Sequence, residues 1–106
     1  MTDMQAERWK RDRGMARALD AASDPFKRNV IACIRQLANT PASFNTDDVR
    51  EMMESYGWPI ERPLAIGSIM AGLARKGLIY KTGERRQTRI EGGHLRDYPL
   101  WRGAGW

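Results

Sequence analysis

The side chains able to do chemistry in this chain are few in kind and uneven in placement. There is one cysteine, Cys33, and one histidine, His94. A zinc site needs four soft ligands, so the chain cannot build one from its own cysteine and histidine. His94 is the only imidazole base for a Ser-His-Asp triad, and nothing around it reads as a nucleophile elbow. It lies in Gly92-Gly93-His94-Leu95, where an exposed loop residue is the plain reading and a catalytic or metal role the rival. Cys33 falls among regularly spaced apolar residues and reads as a small core side chain. Asp47, Asp48, Glu51 and Glu54 are close enough in sequence to suggest magnesium, but capping and solvation account for them without a metal. What the chain has in quantity is cationic: Arg62, Arg75, Lys76, Lys81, Arg85, Arg86, Arg89 and Arg96. Guanidinium groups without an acid, a base and a metal ligand beside them are suited to binding anions, phosphate above all. The expectation is a binding protein and not an enzyme, with no cofactor.

The charge balance gives that expectation a place. Eighteen Lys+Arg against thirteen Asp+Glu leave a formal net charge of +5 on 106 residues. The excess is not spread evenly: residues 1–45 carry net +3, residues 46–61 net −4 and residues 62–106 net +6. An acidic stretch thus precedes a basic one. Such a run is either a solvated face or the footprint of an anionic partner. With one cysteine an intrachain disulfide is impossible, and no apolar run approaches the roughly 18 residues of a membrane span. The first residues are charged where an export signal would be apolar, so the expectation is a soluble cytoplasmic chain without a membrane partner.

The elements that must position these cations follow from apolar spacing. A helix is expected over residues 2–22, rich in helix formers and free of proline. Ser23 or Asp24 can cap the next, with Pro25 in its first turn, and it runs to about Ala38 with Phe26, Val30, Cys33, Ile34 and Leu37 on one stripe. Residues 39–45 read as a loop. Thr46 is the expected N-cap of a third helix, whose apolar face is Val49, Met52, Met53 and Tyr56, ended by Gly57. A fourth helix spans about 62–76, with Ile66, Ile69, Met70 and Leu73 inward and Gly77 as its cap. Its other face holds Gly67, Ser68, Ala71, Gly72 and Arg75. Glycines inside a helix cost roughly 1 kcal/mol each against alanine, so close approach of a helix or a ligand backbone is expected there. Residues 78–81 and 98–101 read as short antiparallel strands joined by a basic loop over 82–96, with Pro99 placing the second strand at a sheet edge. Trp58 and Trp101 are expected to pack, whereas Trp9 and Trp106 lie in terminal segments that could mark an interface.

Helices joined by a tight turn and followed by a basic hairpin give a mainly α (α+β) chain. The stretches Phe44-Asn45-Thr46-Asp47-Asp48-Val49, Pro63 through Gly77-Leu78-Ile79, Thr82-Gly83-Glu84-Arg85-Arg86 and Tyr98-Pro99-Leu100-Trp101-Arg102 carry a resemblance. The chain resembles winged helix-turn-helix DNA-binding domains, and more narrowly the small winged-helix proteins of actinobacterial phages. The resemblance covers about residues 25–102, leaving residues 1–24 as an added N-terminal helix and 103–106 as a mobile tail. It implies a recognition helix over about 62–76 in a major groove and a wing over about 82–96 on phosphates or a minor groove. The implied contacts to duplex DNA are Arg62, Ser68, Arg75, Lys76, Lys81, Arg85, Arg86, Arg89 and Arg96. The implied role is a phage-type regulator or accessory factor in transcription, excision or replication. The 62–76 helix lacks Asn and Gln, so shape-directed or non-specific binding is expected over tight operator reading, and the acidic helix must face away from the DNA. The alternative is an adaptor whose partner is a host or phage protein. Met4, Trp9, Met15 and Leu19 make residues 3–22 the expected surface of a homodimer.

Overall fold

In the computed structural model, which describes Leu19, residues 21–87 and residues 97–106, Ser23 begins the first long helix. Its hydroxyl accepts the Phe26 N–H, so Ser23 and not Asp24 is the cap of helix α1, Asp24–Ala38. Phe26, Val30, Cys33, Ile34 and Ala38 are its buried face, and Leu37 packs partly buried beside them. The helix expected over 2–22 and the dimer surface on 3–22 lie outside the described residues, except at Leu19, Ala21 and Ala22. Leu19 packs on the core, and Ala22 donates its N–H to the Leu19 carbonyl.

Helix α2, Thr46–Ser55, is capped by Asn45 and not by Thr46. Asn45 Oδ1 accepts the Asp48 N–H at 3.2 Å, and the Asp48 carboxylate accepts the Asn45 N–H at 2.8 Å. This reciprocal pair needs an acceptor side chain three residues after the cap. Asp48 supplies it for Asn45, whereas Thr46 would be followed at that distance by Val49. The inward face also differs from the expected one. Val49 and Met53 are buried and Met52 partly so, but Tyr56 is 47% exposed. Its hydroxyl donates to Gln36 Oε1 at 2.7 Å, which holds it at the rim against α1.

Helix α3, Pro63–Arg75, buries Ala65, Ile66, Ile69, Met70 and Leu73. Both α2 and α3 end in the same way. Gly57 and Gly77 take positive φ, Trp58 donates to the Met53 carbonyl and Leu78 to the Leu73 carbonyl. That 6→1 bond across a left-handed glycine is the Schellman stop, and it turns the chain sharply after each helix.

The hairpin pairs β1, Ile79–Gln87, with β2, Asp97–Gly103, in antiparallel register. β1 is longer than expected, because residues 82–87, read as loop, continue the strand. The register slips between Lys81↔Trp101 and Arg85↔Pro99. Thr82 Oγ1 bridges that irregularity, donating to the Leu100 carbonyl and accepting the Glu84 N–H. A bulge of this kind carries strand pairing through residues whose own strand propensity is weak.

The opposite edge of β2 is used once. Phe44 and Trp101 exchange two backbone bonds of 2.9 and 2.8 Å, so Phe44, expected within a loop, makes a single antiparallel bridge there. Strand residues alternate in direction, so the Pro99 nitrogen turns to that same edge, where no other rung is made among the described residues. Proline therefore removes no bond with β1. Phe26, Ile34, Phe44, Met53, Ile66, Met70 and Ile79 form the fully buried centre between the three helices and the hairpin.

Residues 103–106, expected as a mobile tail, are packed. Gly103 lies against the backbone of Ala38, Ala104 donates its N–H to the Leu78 carbonyl at 3.0 Å, and Trp106 packs partly buried on the core. Among the described residues, no helix is long and apolar enough to cross a membrane. The chain is therefore a small α+β domain of three helices followed by a two-stranded antiparallel hairpin, with Phe44 bridged to its second strand.

Candidate nucleic-acid interface

The inward stripe of α3 leaves its other side to solvent. Leu64 is 58% exposed in the first turn. Ser68, Ala71 and Gly72 are half-buried, and Arg75 is exposed in the last turn. Arg62 is exposed at the N-cap, where its carbonyl accepts the Ala65 N–H and its side chain makes no capping bond. Lys76 is exposed at the C-cap. Arg62 and Arg75 are thirteen residues apart, about 20 Å along the helix axis. Past Leu64, the outward surface between them is made of the small residues Ser68, Ala71 and Gly72. A methyl at Gly72 would meet only the far end of Arg75, at 3.8 Å. The chain's own packing therefore supplies no reason for glycine at that position.

The hairpin cations are less free than their sequence suggests. Arg86 pairs with Asp48 at 3.4 Å, the two side chains being 40% and 20% exposed. Arg85 donates to the Asp97 carbonyl at 2.8 Å, across the mouth of its own hairpin. Lys81 sits 5.4 Å from the centre of the Trp101 ring, a cation–π distance. Arg89, Arg96 and His94 lie outside the described residues. The acidic helix does not face wholly away, since Asp48 at its N-terminus touches the hairpin and Asp47 is buried. Arg62, Arg75 and Lys76 form no ion pair among the described residues.

The chain matches no family model, no characterised protein and no solved structure.

Three residues not singled out by spacing belong to the same surface description. Leu64 is exposed because it precedes the inward stripe by one position. Tyr80, 47% exposed, stands opposite Arg102 in the hairpin register, and Arg102 is exposed as well. Their pairing follows from the register beyond the bulge, which no local pattern announces. Cys33 is fully buried, and burial pushes its thiol up to about 11. It is neutral at physiological pH and is no nucleophile. Among the described residues, no group of three His, Cys, Asp or Glu side chains comes together in a way that could hold a metal ion. Of the α2 carboxylates, Asp48 closes the capping box and also pairs with Arg86.

Proposed function

We propose that this protein is a non-enzymatic winged-helix protein that binds duplex DNA, with α3 laid in the major groove and the hairpin as its wing. The carrying observation is the outward face of α3: small residues at Ser68, Ala71 and Gly72 between Arg62 and Arg75, with only the tip of the flexible Arg75 side chain near Gly72. A helix of that length crosses a groove about 12 Å wide and sets a guanidinium near the phosphates at either end. Small side chains between them let the helix backbone come close to the base edges. Few hydrogen-bonding side chains face outward on α3, so binding is directed mainly by backbone charge and groove shape. A regulator or accessory factor of phage type is the role in keeping with that chemistry.

Fluorescence-anisotropy titration of a labelled random-sequence duplex at two salt concentrations tests the reading. Arg62, Arg75 and Lys76 together add about 2.7 to the slope of log affinity against log salt. Replacing all three by alanine is expected to flatten the slope by that much. Absence of salt-sensitive binding at micromolar protein, or an unchanged slope in the triple variant, overturns the proposal.

A further inference from the structure

We propose that a groove along the outer side of α1 docks an acidic peptide segment of a partner protein, separately from the surface assigned to DNA. α1 carries two stripes. One is the buried face already described. The other is Arg28, Ile31, Ala32 and Arg35, spaced i, i+3, i+4 and i+7, so all four lie along one side of the helix. With Gln36, Asn39 and Trp106 they line an open groove of about 800 Å³.

The wall opposite α1 is built by the far end of the chain. β2 runs its last residue so close to the end of α1 that a methyl on Gly103 would lie 2.7 Å from the Ala38 carbonyl carbon. The Ala104 N–H then bonds the Leu78 carbonyl, and the next two residues bring Trp106 against α1. The Arg35 guanidinium lies 5.9 Å from the centre of the Trp106 ring. That contact orients both groups at the rim.

The chemistry of the lining selects the occupant. Its middle is apolar, with Ile31 and Trp106 both packed on the core but neither fully removed from water. The two charges are guanidinium groups about 10 Å apart along the helix. Among the described residues no Asp or Glu side chain lines the groove, and neither arginine forms an ion pair. A peptide with a large apolar side chain between two carboxylates complements this surface in shape and in sign. A nucleic-acid strand carries a charge at every nucleotide, and an apolar floor with two cations leaves most of those phosphates unpaired. None of the lining residues belongs to the set assigned to DNA, so the proposal does not depend on that reading.

The test is selection of a displayed library of random twelve-residue peptides on the full chain, followed by titration of the enriched peptide. Enriched sequences are expected to be acidic with one or two large apolar residues. Their amide shift changes on the protein should centre on Arg35, Ile31 and Trp106. The double variant Arg28→Glu/Arg35→Glu should weaken the enriched peptide at least tenfold, and Trp106→Ala several-fold, at unchanged far-UV circular dichroism. The triple alanine variant at Arg62, Arg75 and Lys76 should bind it within twofold of the parent chain. Enrichment of basic sequences, no enrichment, or shift changes confined to α3 and the hairpin overturns the proposal. So does tighter binding of a single-stranded oligonucleotide at the same residues, which would make the groove a nucleic-acid site.

Discussion

Gly72→Ala separates what the fold requires from what a partner requires. Gly72 sits inside α3, three residues before its end, and its backbone is ordinary helix. An added methyl meets a single neighbour, Arg75 Nη2 at 3.8 Å, an ordinary contact with the tip of a flexible side chain. No strain offsets the gain in helix propensity, so the variant should be more stable by about 1 kcal/mol. For a domain of this size that raises the midpoint of thermal unfolding by roughly 4–8 °C. Binding should move the other way. A helix seated with its backbone close to a duplex has no room for the methyl, and overpacking costs about 1–3 kcal/mol, which is roughly a fivefold to hundredfold loss of affinity. Thermal melts followed by circular dichroism give the first quantity, and anisotropy with a random duplex gives the second. A less stable variant would show that the chain itself needs the glycine. A more stable variant with unchanged DNA affinity would remove the outward face of α3 from the interface.

Three further outcomes follow from particular contacts. Gly103→Ala should destabilise the domain by more than about 2 kcal/mol in denaturant unfolding, because the methyl meets the backbone of Ala38 and neither side can turn away. Asp48→Asn removes the partner of Arg86 while leaving an oxygen to accept the Asn45 N–H, so stability should fall by about 1 kcal/mol or less and DNA affinity should rise at low salt. Burial raises the Cys33 thiol from 9.0 to about 11, so the folded state resists its ionisation. Stability from this group is intact below pH 9 and is lost as pH rises from about 9 to 11, by up to about 3 kcal/mol. Cys33→Ala should lack that part of the alkaline loss in melts compared across the range.

The helices were largely legible because their signals are local. A buried stripe repeats every three or four residues, and Gly57 and Gly77 stop α2 and α3 through a conformation that glycine accepts readily. The cap of α2 was misplaced by one residue, since it is decided by a reciprocal bond and not by one good capping residue. Tyr56 fits the periodicity of a core position, yet its hydroxyl finds Gln36 at the rim, and that polar end keeps the ring partly in water. The hairpin was legible only at its ends. Register across a bulge depends on pairing between residues about twenty positions apart, and Thr82 holds that irregularity through contacts on the other strand. The packed end of the chain was hidden for the same reason: Gly103 looks like flexible tail until Ala38 is placed beside it.

The acidic and basic halves of the sequence do not act as two opposed patches. Asp48 closes the capping box of α2 and also meets Arg86 on the hairpin, so one carboxylate ties the start of that helix to β1. The sign of the run over 46–61 is therefore partly spent within the fold, and so is the positive charge of the hairpin. Arg85 turns to a carbonyl of its own hairpin and Lys81 to the Trp101 ring. Cations without an ion pair among the described residues include those at the two ends of α3 and on the outer side of α1. A count of charges along the chain points to the hairpin as the strongest anion-binding element. Under the two proposals, that weight falls on α3 for a duplex and on α1 for a carboxylate-bearing peptide. Loss of salt-sensitive DNA binding should accordingly be larger for Arg62→Ala/Arg75→Ala than for Arg85→Ala/Arg86→Ala, and the reverse order would put the hairpin back at the centre of the interface.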